Sequence, residues 1–424
     1  MISGTCPSGL RYAVRRSGRA VAYCALSIGA GTRDEKGFPA GTAHFTEHAM
    51  FRGTTRKSAT VISSYLDRLG GELNAYTTKE EIVLHATVLK EDLGKAARLL
   101  FELATQATFP ADEIETERGV ILDEIISYKD NPSEDVYDKF EALLFEGSAL
   151  ETPILGTSSS VKKITPEMLR RFVAEKFVPE HMAFTVVADI EEKELEKIII
   201  RIADEGISKK LLLRSPVRVN SILDIPSSAS TASSLPATTG NLFNKVVDKR
   251  NHEVNAVIGG RAPSLHDMPD RLVAAMLVNI LGGPASNSLL NAELREKRGW
   301  VYGIECSYTQ YADTGIVAIA FGCDKPNLDK CIDAIHKILN RLAEKPMTDA
   351  KLRACRKQLL GQLAISSESG EAQCLSMGKS LLAWGTVMSE SETRKHLEAI
   401  TAEDLRSMAY RLFSTSNLSY LIYL

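Results

Sequence analysis

No stretch of this 424-residue chain is long and apolar enough to span a bilayer as a helix, and the start, Met1 to Leu10, lacks the basic residues and apolar run of a secretory signal. A cytoplasmic protein without a membrane partner is expected. The chain also lacks any Cys-x-x-Cys pair, and its seven cysteines are odd in number, which argues for reduced thiols in a reducing compartment. None of them is assigned a catalytic role. An excess of one charge is missing too: 51 basic residues stand against 54 acidic ones, a net charge of -3. That balance excludes the single-sign field by which a nucleic-acid partner would announce itself. Histidine is scarce, at eight residues in the whole chain. The length is too great for one ordinary core and predicts two or more domains, each able to bury most of its apolar surface.

Against that scarcity stands Gly41-Thr-Ala-His-Phe-Thr-Glu-His-Ala-Met-Phe-Arg-Gly-Thr54. Read as a helix, it places His44 and His48 four residues apart, so that both imidazoles project from one face and can hold a single metal ion. Glu47 sits at the edge of that face, where its carboxylate can take a proton from a water on the metal. Zinc suits this set, because it accepts imidazole and carboxylate ligands and a catalytic site leaves one position to water. The order is His-x-x-Glu-His, the reverse of the commoner His-Glu-x-x-His.

A third ligand is sought downstream. Pro110 and Asp112 are helix start signals, and Ile114, Val120, Ile121 and Ile125 recur at helical spacing. Glu117 and Glu124, seven apart, then share one face two turns from each other. Taken alone, Glu117 is an ordinary solvated helix charge. Together with His-x-x-Glu-His, however, a Glu-x6-Glu helix about 75 residues on resembles the M16 zinc metallopeptidases, the pitrilysin, insulysin and mitochondrial processing peptidase family. The resemblance implies that Glu124 is the third zinc ligand and that Glu117 supports the site from behind.

In chain order, Leu10 to Val14 and Ala20 to Ile28 read as strands joined in a hairpin at Ser17-Gly18. A helix is expected at about Ser58 to Leu69, then strands at Glu72 to Thr78 and Glu81 to Leu89, with His85 a strand residue and no ligand. By the same resemblance, Asn74 and Ala75 match a strand that lines the substrate cleft. Ile164-Thr-Pro-Glu-Met-Leu-Arg-Arg returns as Ile400-Thr-Ala-Glu-Asp-Leu-Arg-Ser, so the chain is an internal duplication. The metal residues were not copied, because Arg353 and Leu360 stand where Glu117 and Glu124 would repeat. The expected domains are a catalytic zinc-binding half at 1–224, a Ser/Thr/Pro-rich linker at 225–240 and a metal-free half at 241–424 that helps to bind substrate. In the second half, Arg295 and Tyr302 match the family's Arg-x6-Tyr signature.

The resemblance covers nearly the whole chain and points to the smaller subfamily. It implies an α+β fold of two duplicated halves, each an antiparallel-rich sheet packed with helices, facing each other as a clamshell. It further implies a zinc-dependent endopeptidase with one Zn2+ per chain and Glu47 as the base, acting on peptides or small unfolded polypeptides. A homodimer, or a heterodimer with a sister M16-like subunit, is the expected assembly. The competing reading is a non-catalytic peptide-binding or structural partner subunit of such a complex.

Overall fold

The computed structural model describes residues 1–213 and 242–424. The linker expected at 225–240, with the boundary at 224, lies outside the described residues. The chain forms two compact units that do not follow chain order. The first takes Met1–Ile125, Ile365–Met388 and the described part of Thr152–Ser230; the second takes Ile126–Glu151, Ser389–Leu424 and the described part of Thr231–Ala364.

In the first unit, six strands form one sheet: β1 (Ile2–Thr5), β2 (Arg11–Arg16), β3 (Val21–Ile28), β4 (Glu72–Thr77), β5 (Ile82–Leu89) and β6 (Met182–Ala188). Their order is β1-β2-β6-β3-β5-β4. The hairpin expected between β2 and β3 is therefore absent, because β6 lies between them, parallel to β2 and antiparallel to β3. Every residue of β6 is buried. A run this apolar, interrupted only by Thr185, finds cover on both faces in the middle of a sheet, which displaces the local pairing of its neighbours. At the other side β4 is an edge strand, with Asn74 opposite His85 and Ala75 opposite Leu84. The helix expected across 58–69 is shorter, Ala59–Ser63 followed by one 3-10 turn at Asp67–Leu69.

Four helices matter most for the arrangement of side chains in the two units: α1 (Thr42–Met50), α2 (Ala111–Lys129), α3 (Pro132–Leu144) and α4 (Gly370–Trp384). One face of the first sheet packs on the helix Leu93–Gln106 and the core around it. The other face is covered by α4, whose Met377 and Leu381 lie on Ala13, Ala25, Val83, Ala183 and Val187. The approach is close enough to require glycine, since a Cβ on Gly378 would come within 2.4 Å of Ser27 Oγ.

The second unit repeats the plan with β7 (Asn244–Val247), β8 (Val254–Ala262), β9 (Val301–Gln310), β10 (Gly315–Cys323) and β11 (Ser419–Tyr423), in the order β7-β11-β8-β10-β9. Here α3 covers one face, with Val136, Phe140 and Leu144 against Val257, Ile316 and Leu421. Each sheet thus takes a helix from the opposite half of the chain. The duplication is visible down to the caps: Thr165 accepts the Met168 N–H at 3.3 Å and Thr401 the Asp404 N–H at 3.1 Å, each opening the helix that precedes the half's last buried strand. The fold is α+β, two antiparallel-rich sheets packed with helices, as expected. Among the described residues no helix is long and apolar enough to cross a membrane.

Candidate metal centre

The helix α1 starts at Gly41, whose positive φ of 87° and lack of a side chain leave the first-turn N–H groups without a local cap. Glu35 takes that place from the preceding loop: its carboxylate accepts the Gly41 N–H at 3.0 Å and the Ala43 N–H at 2.7 Å. Phe45, Ala49 and Met50 are fully buried and anchor the helix in the first core. That packing fixes the face carrying His44, Glu47 and His48. On α2, Ile114, Ile121 and Ile125 are buried, whereas Val120, grouped with them by spacing, is exposed. The same docking brings Glu117 and Glu124 to α1.

Nε2 of His44 and Nε2 of His48 each lie 3.7 Å from Glu124 Oε2. One ligand atom from each of the three residues falls within 4.8 Å of the others. The two imidazoles are 4.5 Å apart between ring centres and tilted by 59°. Glu124 Oε2 is buried without a hydrogen-bond partner. A buried carboxylate oxygen left unpaired is costly unless a cation completes it, so this donor set fits a metal, and two imidazoles with one carboxylate fit zinc. Among the described residues, no other group of three such side chains comes together.

The surroundings sort the roles. His48 Nδ1 is 2.7 Å from Glu117 Oε1, and because a carboxylate only accepts, Nδ1 carries the proton and the Nε2 lone pair is left toward Glu124. Glu117 is buried and ion-paired with Arg52. Burial alone would raise the Glu117 carboxyl, but the hydrogen bond from His48 and the charge of Arg52 hold it below its ordinary range. Burial disfavours charge on His48 as well, yet its bond to Glu117 and the neighbouring carboxylates raise its pKa. His44 is different: burial, reinforced by His48, lowers it to about 3, so its imidazole is neutral at physiological pH and keeps a lone pair to offer.

Glu47 lies beside the set as a buried carboxylate whose Oε2 accepts the Thr77 hydroxyl at 2.6 Å. Burial raises its pKa above the ordinary value, against the lowering effects of Thr77 and His48. A carboxyl of raised pKa holds its proton more readily than an ordinary one, a property suited to proton transfer.

His44, Glu47, His48, Glu117 and Glu124 are all brought together in the first unit. Asn74 and Ala75 lie on the edge strand β4, the strand that ends with Thr77, and Asn74 is exposed. His85 is a strand residue paired with Glu371 at 3.1 Å and takes no part in the site. In the second unit, Arg295 lies exposed on a π-helical turn, Asn291–Glu296. Tyr302, 59% exposed on β9, donates its hydroxyl to Asp324 Oδ1 at 2.7 Å. Sequence reasoning missed Thr77, Arg52 and Glu35. Only Arg52 left a local signal, standing one helical turn after His48.

Comparison with known proteins gives the family. Residues 11–158 match the family described as insulinase (peptidase family M16), and residues 163–359 match the one described as the peptidase M16 inactive domain. An uncharacterized zinc protease of Streptomyces coelicolor is 28% identical over 407 residues, covering 96% of this chain and 85% of its own. One of Bacillus subtilis is 28% identical over 416 residues, covering 97% and 95%. In fold, the chain is similar to a crystal structure of a protease from Helicobacter pylori, with a TM-score of 0.85 at 19% identity over 100% of this chain and 98% of that one. Two family domains in tandem, and relatives aligned almost end to end, lead to one conclusion: the chain belongs to the M16 peptidase family.

Proposed function

We propose that the protein is a zinc-dependent endopeptidase that hydrolyses peptides or small unfolded polypeptides. The observation that carries this reading is the convergence of His44, His48 and the unpaired Glu124 oxygen beside a buried Glu47. The naming of full-length relatives as zinc proteases supports it. His44, His48 and Glu124 would hold one zinc ion per chain. When bound, zinc supplies Lewis acidity, polarising a carbonyl and lowering the pKa of water toward ~7. Glu47 takes the proton from the attacking water and returns it to the leaving amine. Thr77 keeps Oε2 of Glu47 engaged, which leaves Oε1 for that transfer. Glu117 orients His48 through Nδ1.

The edge of β4, with Asn74 and Ala75, offers main-chain groups that an extended peptide can pair with. Arg295 and Tyr302 are assigned to peptide binding by their match to the family signature, and pairing with an identical or sister chain is assigned on the same ground. Metal analysis of the purified protein coupled to cleavage of a mixed peptide library tests the whole reading. One zinc per chain and cleavage abolished by a chelator are expected. Cleavage that persists in metal-free protein overturns the mechanism, and zinc without any cleavage favours a non-catalytic subunit.

A further inference from the structure

The imidazole of His48 is turned by a buried carboxylate, and that carboxylate is itself held. Glu117 is only 3% exposed, with Oε1 on His48 Nδ1 at 2.7 Å and Oε2 in an ion pair with Arg52. Arg52 follows the last turn of α1, four residues after His48, so one helix end presents both the ligand and the cation that fixes the ligand's partner. Among the described residues, His48 and Arg52 are the polar side chains that engage Glu117, so without Arg52 nothing would direct Oε2. A carboxylate with one oxygen undirected is free to rotate about its terminal torsion, which is broad and roughly two-fold. The ring it orients would lose its fixed heading with it.

We infer that Arg52 is a positioning residue for the metal site: by holding Oε2 of Glu117 it sets Oε1 on His48 Nδ1 and thereby turns the His48 Nε2 lone pair toward Glu124 Oε2. This rests on the metal-site reading of His44, His48 and Glu124. Arg52 acts through Glu117, the side chain with which it is ion-paired. The His44 side lacks such a device, because His44 Nδ1 is buried without a hydrogen-bond partner. The orientation of the pair therefore depends on the His48 side. Groups that orient metal-bound histidines from behind typically change metal affinity by about 10- to 100-fold when removed, and an effect toward the lower end is expected for a group one step further out.

The test is zinc affinity, read by competition with a chromophoric chelator on full-length protein, with the thermal midpoint of the metal-free form measured alongside. Arg52→Met should weaken zinc binding by about tenfold, and Arg52→Lys should recover most of that loss, since one cationic contact to Oε2 is what the structure contains. In a Glu117→Gln background, Arg52→Met should cost almost nothing more, because a residue acting through Glu117 has no second route. Zinc affinity unchanged in Arg52→Met, or an equal loss in both backgrounds, overturns the inference. If Arg52→Met does not fold, the comparison of Arg52→Lys with Arg52→Gln decides it, and equal affinities overturn it. A parent protein that takes up no zinc removes the metal-site reading and this inference together, a result distinct from any seen with the variants alone.

Discussion

Thr77, the last residue of an edge strand, donates its hydroxyl to Glu47, the proposed acid-base carboxylate of a helix thirty residues earlier, over 2.6 Å. This single bond ties the proposed base to the edge strand β4. It also opposes the effect of burial on Glu47, which is to raise the carboxyl above its ordinary range.

Removing that hydroxyl gives the first prediction. Thr77→Val should keep zinc and lower kcat more than it changes KM, by roughly 10- to 100-fold if one hydrogen bond to a charged group, about 1.5–3 kcal/mol, is lost. Because Thr77 lowers the Glu47 pKa, its removal should move the acid limb of the pH–rate profile to higher pH. Thr77→Ser should restore both. A Val variant with the parent's kcat and pH profile would remove Thr77 from the site.

The second prediction separates base from ligand. Glu47→Gln should retain zinc while its rate falls by about 10²- to 10⁴-fold, the range for general acid–base catalysis. Glu124→Gln should instead lose zinc affinity along with activity. Metal content measured on both variants checks this, and the opposite pattern would exchange the two roles.

Glu35 supplies the third, a dependence of stability on pH. Burial raises its carboxyl from 4.5 to about 8 in spite of the two N–H bonds it accepts. A carboxyl whose folded pKa lies above its unfolded one binds its proton more tightly when folded. Its contribution is therefore fully present below pH 4.5 and is lost as pH rises through about 8. Chemical denaturation of chelator-treated protein should show stability falling between about pH 4.5 and pH 8, and level above that, by on the order of a few kcal/mol. Glu35→Gln should flatten that fall. A parent and variant with the same pH slope would contradict it.

A truncated chain makes the fourth. Residues 1–224 contain all five polar residues of the site, but the sheet behind them is covered by α4, Gly370–Trp384. Cut away, α4 leaves Ala13, Ala25, Val83, Ala183 and Val187 open to water, an apolar face that favours association. The fragment should be aggregated, and size-exclusion chromatography reads the outcome. A monomeric, zinc-binding 1–224 would show that the sheet does not need this cover.

The second unit is tested by Arg295→Ala, which should leave zinc content and thermal midpoint unchanged and lower kcat/KM by about 10-fold. Tyr302→Phe should have the smaller effect, since the phenol already gives its only proton to Asp324. Steady-state kinetics on a cleaved peptide check both, and an Arg295→Ala enzyme equal to the parent would make that residue irrelevant to substrate.

The amino-acid sequence by itself determined the chemistry of the centre. Helical periodicity is a local property, so His44 and His48 at four residues and Glu117 and Glu124 at seven were bound to share faces wherever the helices went. It also determined the duplication and its asymmetry, because Arg353 and Leu360 can supply no metal ligand. The tertiary structure decided which faces meet. His48 and Glu117, 69 residues apart, touch only because Phe45 and Ile121 bury in one core. The place of β6 between β2 and β3 was decided by competition for two-sided burial, which outweighed the short loop favouring a hairpin. The cover of the first sheet by α4, and the bonds made by Thr77 and Glu35, depend in the same way on surfaces far apart in the chain, where residue spacing carries no information.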